Sequence, residues 1–306
     1  MKQDVTADRP TLGILLMLGF CVLAPMGDAL AKVLGETIPL GQLLLTRFGI
    51  QALLLIPLVI FTARSFRMSA RVFKLTALRT ILHILGIGAM FTALRFMPLA
   101  DTVAIAFVMP FIMLLLGKYV LGEEVGPRRL IACIIGFIGT LFVIQPSFAA
   151  VGYPALLPLL VALVFALFML VTRQVAKDVD PISMQAVSGI MAIVILCLLY
   201  PLLGGHVWGA LALITPNTTE FALLGLIGFF GTIAHLLMTW SLRFAPSATL
   251  APMQYLEIPV ATIIGFLVFR DWPNGLAQIG IAITIGSGLY IIFREQRMSR
   301  IAPPAS

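Results

Sequence analysis

Residues 94–144 read LRFMPLADTVAIAFVMPFIMLLLGKYVLGEEVGPRRLIACIIGFIGTLFVI, and a similar sequence recurs at residues 242–292. The two segments share an Arg-Phe-x-Pro-x-Ala entry, a glycine, an acid and, after a one-residue slip, a proline within the apolar run. The corresponding pairs are Arg95 and Arg243, Pro98 and Pro246, Gly117 and Gly265, Glu123 and Asp271, and Pro110 and Pro259. Similar apolar composition alone also produces chance matches, but the common order of these non-apolar residues favours an internal repeat, which determines the architecture.

The composition of the chain is that of an integral membrane protein. Of the 306 residues, 60% are apolar and 11% are charged, and the mean hydropathy is +1.08. Soluble domains of ordinary composition are far less apolar. A formal charge of +7 would suit a nucleic-acid binder, but the basic residues lie in short clusters between apolar runs, where they orient a protein in the lipid bilayer. The sequence therefore predicts an all-α membrane protein and no nucleic-acid partner.

Ten apolar runs have the length of a membrane-spanning helix, which needs about 20 residues. They cover residues 11–34, 40–62, 74–96, 99–120, 128–146, 154–173, 182–203, 220–243, 247–269 and 275–294. The first run ends in Ala29-Leu30-Ala31, which resembles a signal-peptide cleavage site. It is long enough to span the bilayer, and the five-plus-five arrangement needs it, so we interpret it as the first span.

The basic residues predict the orientation of these spans. With the N-terminus in the cytoplasm, every lysine and arginine falls on the cytoplasmic side except Lys32, Arg47, Arg95 and Arg270. Both termini are therefore expected inside. Because five is an odd number, the second copy enters the membrane from the opposite face, which gives two inverted repeats of the kind found in transporters. The predicted divisions are a tail at 1–10, a five-helix repeat at 11–146, a linker at 147–153, a second repeat at 154–294 and a tail at 295–306.

Ionisable residues inside the spans are the candidates for a functional site, because each costs about 2.5 to 3.5 kcal/mol at a helix centre. Glu257 lies near the middle of the ninth run and Asp28 in the outer half of the first. Each is interpreted as a substrate or proton site. The alternatives are a structural partner for a histidine or arginine in the case of Glu257, and pairing with Lys32 one turn later in the case of Asp28. Arg47, near the outer end of the second run, has the chemistry to clamp a carboxylate, but it is expected to extend toward the lipid headgroups.

Two histidines, His83 and His235, lie in the corresponding third and eighth runs. Either would relay a proton or bind the substrate, or simply form a hydrogen bond with a neighbouring hydroxyl or carbonyl. The cysteines Cys21, Cys133 and Cys197 read as small core residues without disulfide or metal spacing. No metal or cofactor is therefore expected.

The proline pair points to a cavity at the centre of the bundle. Pro110 and Pro259 lie near the middle of the fourth and ninth runs, and each removes one helical hydrogen bond. Interrupted helices at corresponding positions of two halves are typical of a transporter's binding site, although a packing kink is the alternative. The polar and aromatic candidates beside Glu257 are Gln254, Tyr255 and Trp240. Small residues in the fifth and tenth runs, such as Gly139 and Gly280, predict that these two helices pack closely.

These residues make the chain resemble the drug/metabolite transporter superfamily, in its EamA-type branch of ten-helix carriers. The resemblance covers residues 11–294 and rests on the Pro-x-Ala entry, the proline within the fourth run, the Gly122-Glu123 turn and the glycine-bearing fifth run that ends at Pro146. In the second half the usual Gly-Glu is replaced by Arg270-Asp271. The resemblance implies a bacterial inner-membrane carrier, monomeric or homodimeric, for an amino acid, vitamin, nucleoside or related metabolite.

The sequence thus predicts a secondary active transporter that works by alternating access, with protons exchanged at Glu257. No phosphate-binding loop of the ATP-driven type is present. The alternatives are a passive channel or facilitator and an intramembrane enzyme. We expect no enzyme, because the sequence lacks a zinc-binding His-Glu-x-x-His motif and paired aspartates. No motif identifies the substrate or the direction of transport.

Overall fold

A computed structural model describes residues 9–122, 126–202 and 212–301, and its regular structure is entirely helical over these residues. The α-helices are α1 Pro10–Leu34, α2 Leu40–Phe61, α3 Ala70–Ala93, α4 Leu99–Ala106, α5 Met109–Leu121, α6 Pro127–Val151, α7 Leu157–Val175, α8 Pro181–Leu202, α9 Thr218–Phe244, α10 Ser247–Leu250, α11 Glu257–Ile264 and α12 Gly275–Ile301. Within the described ranges, eight helical segments are long and apolar enough to cross a membrane, with two shorter apolar segments at Met253–Phe269 and Gly275–Tyr290. The predicted all-α membrane architecture is confirmed.

Local signals in the sequence set several helix ends. Asn217 and Glu220 form a reciprocal capping box at the start of α9: the Glu220 N–H donates to Asn217 Oδ1 at 2.9 Å, and the Asn217 N–H donates to Glu220 Oε2 at 2.8 Å. Ser69 accepts a hydrogen bond from the Val72 N–H and begins α3. Gly122 ends α5 in the left-handed conformation, with φ of 66°. These caps satisfy backbone groups at the ends of the apolar segments.

The fourth and ninth apolar runs are interrupted in their middles. The fourth breaks at Phe107 and Val108, between α4 and α5, immediately before Pro110. The ninth continues from α10 as a 3₁₀-helix over Ala251–Leu256, becomes α11 at Glu257 and ends as a π-helix over Gly265–Phe269. Proline lacks the N–H that an uninterrupted α-helix needs, so each break lies close to a predicted proline.

Helix pairs form the frame of the bundle: α1 packs on α9, α3 on α7, α2 on α8 and α6 on α12. The interrupted segments lie against this frame, where α4 contacts both α7 and α11. The predicted packing of the fifth and tenth runs is confirmed as the pairing of α6 with α12 within one chain. Gly139 and Gly280 face each other there, which lets the two backbones approach closely.

Large apolar side chains cover the outside of the bundle. Leu53 is 70% exposed and Phe61 is 86% exposed. Soluble monomers rarely expose extensive apolar surface, whereas a lipid-facing surface requires it. Cys21 and Cys133 are buried as expected, but Cys197 is exposed on α8, so its prediction as a core residue was wrong. An apolar run in a membrane helix has both core and lipid faces, and the sequence does not separate them.

The close contact of α6 with α12 predicts opposite effects of alanine at two glycines of α12. A Cβ at Gly280 would lie 2.9 Å from Val143 Cγ2 and 3.0 Å from Phe142 Cβ, whereas a Cβ at Gly286 would meet no atom within 4 Å. We expect Gly280→Ala to lower the free energy of unfolding by about 1–3 kcal/mol, because the added methyl group overpacks the contact. Gly286→Ala should be neutral or stabilising by up to about 1 kcal/mol, because alanine favours the helix. Thermal unfolding in detergent measures both, and equal midpoints for the two variants would contradict the close contact.

Candidate functional site

A cavity at the centre of the bundle is lined by residues from α1, α2, α3, α4, α5, α7, α9 and α11. Its walls are mostly aromatic and aliphatic, including Phe20, Phe91, Phe107 and Phe165. Polar groups enter it at four positions: Asp28, Arg47, His235 and Glu257. The cavity measures about 70 Å³. Small-molecule sites usually measure about 300–1,000 Å³, so the helices must separate before a metabolite fits.

Both predicted acids face this cavity. Glu257 is the first residue of α11, at the end of the 3₁₀ segment, and it is only 8% exposed. In the described part of the chain, neither Asp28 nor Glu257 forms an ion pair within 4.0 Å. The alternative pairing of Asp28 with Lys32 does not occur, because Lys32 Nζ donates to the Met97 carbonyl at 2.8 Å and lies 3.4 Å from Asp271 Oδ2. Both cavity carboxyls therefore remain available to a proton or a substrate.

Arg47 also belongs to the cavity, so the expectation that it extends toward the headgroups was wrong. Its side chain is buried and donates to Gln51 Oε1 at 3.0 Å, to the Gly231 carbonyl at 2.9 Å and to His235 Nδ1 at 3.0 Å. A Cβ at residue 231 would lie 2.6 Å from Arg47 Cζ, so only glycine leaves room for the guanidinium against α9. Tertiary packing therefore draws Arg47 inward, against its tendency to reach the membrane surface.

The structure brings the two predicted histidines into contact. The rings of His83 and His235 are 4.3 Å apart between centroids, and Phe168 and Phe48 lie 4.6 and 5.0 Å from His83. His235 Nδ1 lies 3.0 Å from Arg47 Nη2 and 3.0 Å from the Gly231 carbonyl oxygen, so it accepts from the guanidinium in one tautomer and donates to the carbonyl in the other. His235 Nε2 and both ring nitrogens of His83 have no hydrogen-bond partner among the described residues. For His83, the alternative of a bond to a neighbouring hydroxyl or carbonyl is therefore not observed.

A second buried arginine, Arg79, lies one turn before His83 on α3. It donates to Thr172 Oγ1 at 2.8 Å, Ser188 Oγ at 2.9 Å and Thr239 Oγ1 at 3.5 Å, and it lies over the Phe168 ring at 4.5 Å. Arg79 was predicted to lie on the cytoplasmic side with the other basic residues that orient the protein. Its position nine residues into α3, about 14 Å along the axis, was the available signal that it lies inside the membrane.

Buried amides connect the two arginines. Gln51 Nε2 donates to the Gln185 carbonyl at 2.7 Å, and Gln185 Nε2 donates to Thr239 Oγ1 at 3.0 Å. We call these residues the polar band; it comprises the hydrogen-bonded Arg47, Gln51, Arg79, Gln185, Ser188, His235 and Thr239, together with His83, whose ring packs against His235. The band leads from the cavity toward the end of the bundle where α8 begins and α9 ends. A continuous line of hydrogen-bonding groups thus leads from the central cavity toward one face of the protein.

Three predicted residues beside Glu257 lie outside the cavity. Gln254, predicted beside Glu257, does not line the cavity, and its Nε2 lies 3.3 Å from the sulfur of Met169. Tyr255 is buried against Phe107, with ring centroids 5.7 Å apart. Trp240 packs with Leu55, Val59, Ile182, Ala186 and Leu236. Five residues separate Trp240 from His235, which places them on different sides of α9.

The predicted prolines border the cavity without lining it. Pro110 and Pro259 are absent from the lining residues, whereas Ala106, Phe107 and Met109 of the first interruption and Glu257 of the second line it. The helix breaks therefore bring these residues to the cavity. Among the described residues, no cluster of histidine, cysteine and acidic side chains is arranged to hold a metal ion.

The geometry of the bundle can now be compared with known proteins. The sequence profile of the EamA-like transporter family matches residues 11–145 and, separately, residues 152–294. The chain belongs to the EamA-like transporter family. The predicted resemblance to drug/metabolite transporters is therefore confirmed, and this EamA-family chain is a multi-pass membrane transporter of a small molecule.

Relatives of this EamA-family chain include transporters with named substrates. It is 30% identical over 222 residues to a riboflavin transporter of Rhizobium johnstonii, a match that covers 72% of this chain and 71% of the relative. It is 25% identical over 285 residues to an S-adenosylmethionine uptake transporter of Rickettsia prowazekii, covering 93% and 94% of the two chains. A solved crystal structure shares the fold with a TM-score of 0.68 at 18% identity, over 94% of this chain and 98% of that chain.

Proposed function

We propose that the protein is a secondary active transporter of the bacterial inner membrane that moves a small metabolite by alternating access, coupled to protons at Glu257. The observation that carries this proposal is the position of Glu257. Its carboxyl lies at a helix interruption, faces the central cavity and has no ion-pair partner in the described residues. An ionised group in such a position is costly and is typically retained for binding or proton transfer.

The proposed architecture is ten spans in two inverted five-helix repeats, residues 11–146 and 154–294, with both termini in the cytoplasm. The two separate profile matches support this division. The helix pairing supports it as well. In the two proposed repeats α1 corresponds to α7, α2 to α8, α3 to α9 and α6 to α12. Exchanging the halves therefore turns the pair of α1 with α9 into the pair of α7 with α3, and it leaves the pairs of α2 with α8 and of α6 with α12 unchanged. A two-fold axis in the membrane plane produces such a pattern.

Matched contacts at opposite ends of the bundle give independent support. Arg95 donates to the Ile38 carbonyl at 3.0 Å, and Arg243 donates to the Val179 carbonyl at 3.3 Å. Lys32 and Arg173 make a second such pair, because Lys32 donates to the Met97 carbonyl at 2.8 Å and Arg173 to the Leu242 carbonyl at 2.6 Å. In both cases a basic side chain ties the loop at one end of a five-helix unit. These ties would close the outer and inner ends of the cavity.

Alternating access then requires the hydrogen bonds at one end of the cavity to break while those at the other end remain. The interrupted fourth and ninth runs are the proposed moving parts, since a broken helix bends at lower cost than a continuous one. Phe107 of the first interruption packs against Tyr255 of the second, so the two segments meet at the centre of the bundle. A rearrangement of either segment therefore changes the cavity wall.

Proton coupling follows from the charge of Glu257. A carboxyl that carries its proton is neutral and moves through an apolar environment at low cost, whereas the carboxylate needs water, a cation or a polar substrate beside it. Binding and release of the proton would thus favour different arrangements of the segments around the cavity. Among the described residues, no basic side chain lies within ion-pair distance of Glu257.

The phenyl rings of the cavity suit a metabolite with a planar ring system, and the relatives named for riboflavin and S-adenosylmethionine make these two compounds the first probes. We expect the purified protein in proteoliposomes to take up at least one labelled probe with saturable kinetics. Preloading with the unlabelled compound should accelerate uptake by counterflow. Flux that rises linearly with concentration would indicate a channel instead, and chemical conversion of the probe would indicate an enzyme.

A further inference from the structure

Two arginines lie buried in the interior of the bundle without a close ion pair; Asp28, which lines the same cavity, attracts Arg47 from beyond ion-pair distance. Arg47 is 2% exposed and Arg79 is 0% exposed. Within the described ranges, neither guanidinium lies within 4.0 Å of a carboxylate oxygen. Their hydrogen-bond partners are an amide, a carbonyl and an imidazole for Arg47, and three hydroxyls for Arg79. All of these partners are neutral, so no close ion pair offsets either positive charge.

An arginine in a purely structural role is expected to be paired with an acid at this depth, because burying a cation is costly. Arg47 instead presents its charge to the cavity, alongside His235, whose Nε2 also has no described partner. A planar guanidinium is well suited to a carboxylate or phosphate, which it binds with two parallel hydrogen bonds. The guanidinium of Arg47, which lines the cavity, therefore matches an anionic group of the transported molecule.

We infer that the substrate carries an anionic group, a carboxylate or a phosphate, which Arg47 binds in the cavity and Arg79 binds next along the polar band. This inference rests on the proposed transport function. The anionic group would be held by Arg47, while the rest of the molecule lies between the phenyl rings and the two cavity carboxyls. The positive charge of the cavity thus comes from Arg47 on α2, beside His235 on α9, and its acidic residues lie on α1 and α11.

The step from Arg47 to Arg79 passes His83. The His83 ring lies between the two arginines, packed against His235 and Phe168, and neither ring nitrogen has a described partner. A rotation of this side chain would open the space between the guanidiniums and offer a hydrogen bond to the passing anion. Beyond it, Thr172, Ser188 and Thr239 already surround Arg79 with hydroxyl groups. Arg79 is therefore a second binding position rather than a part of the cavity itself.

The first test compares probes that differ in one anionic group. Riboflavin 5′-phosphate is paired with riboflavin, and S-adenosylmethionine with its decarboxylated form. We expect at least one anionic member to stabilise the purified wild-type protein against heat at about tenfold lower concentration than its partner. Arg47→Gln should remove this difference, and Arg47→Lys should restore part of it. The midpoint of each ligand-free variant shows whether it has folded.

Three results would overturn the inference: equal stabilisation by both members of each pair, no stabilisation by any of the four probes, or an unchanged difference in a folded Arg47→Gln variant. The proposed transport function is tested separately by flux. Saturable counterflow of the probes that lack the anionic group, with no preference for those that carry it, would leave transport intact while rejecting the anion site. Anion-dependent stabilisation without any saturable flux would support the anion site while rejecting the proposed transport function.

The second test separates passage from binding at Arg79. Arg79→Gln is expected to lower the maximal counterflow rate of the anionic probe about tenfold, with little change in its KM, because the first binding position remains. Arg79→Lys should recover part of the rate. The control Thr172→Val removes one hydrogen bond to Arg79 but keeps its charge, and its rate should stay near the wild-type value. Equal losses of the maximal counterflow rate in Arg79→Gln and Thr172→Val would show that Arg79 has only a packing role and would overturn this part of the inference.

Discussion

Replacing Glu257 with glutamine is expected to abolish proton-driven accumulation of the substrate while sparing exchange. The amide has nearly the shape of the carboxyl, so the cavity wall should stay intact, but it binds and releases no proton. With one proton per substrate, a gradient of one pH unit supports about tenfold accumulation. In proteoliposomes the wild-type protein should approach this ratio for the probe that it transports, and Glu257→Gln should stop at equal concentrations inside and outside. Counterflow in the same vesicles should remain measurable.

The matched control for this variant is Asp28→Asn. Asp28 lines the same cavity and also lacks an ion pair in the described part of the chain, so its replacement removes a second carboxyl at a similar depth. Accumulation is expected to persist in Asp28→Asn and to collapse when a protonophore is added. Full accumulation by Glu257→Gln would contradict the assignment of the proton site, and a loss confined to Asp28→Asn would transfer that role to Asp28.

The features of the fold that depend on local sequence were predictable. Apolar runs, basic clusters and prolines are local patterns that can be located in the sequence directly. They therefore predict the helical segments and the two interruptions near Pro110 and Pro259. Glu257 and Asp28 were recognisable for the same reason, since an acid inside an apolar run is rare and costly. Their convergence on one cavity requires the pairing of distant helices, which no local pattern contains.

The cationic side of the cavity was not predicted, and the reason is physical. A count of basic residues assigns each one to the nearer membrane surface and ignores its depth along the helix. Arg47 and Arg79 are held inside by contacts from α7, α8 and α9, and the space for Arg47 exists only because residue 231 is glycine. Trp240 was predicted beside Glu257, but it packs with Leu55, Ile182 and Leu236 outside the cavity, because a position in an apolar run does not show which side of the helix faces the site.

Gly231 is therefore expected to be as sensitive to substitution as a residue that contacts the substrate directly. Valine at this position places its Cβ 2.6 Å from Arg47 Cζ and adds two methyl groups to a cavity of about 70 Å³, so it displaces the guanidinium and narrows the site. We expect Gly231→Val to reduce the initial rate of counterflow about 100-fold, which corresponds to roughly 2.7 kcal/mol.

Gly225→Val on the same helix is the matched control, because a Cβ at Gly225 meets no atom within 4 Å while the intrinsic cost of valine in a helix is the same. Counterflow rates and unfolding midpoints of the two variants separate a blocked site from a damaged helix. Similar losses of counterflow in both variants would mean that the helix, rather than the space for Arg47, accounts for the effect. A loss confined to Gly231→Val would support the view that the absence of a side chain on α9 brings the charge of Arg47 into the cavity.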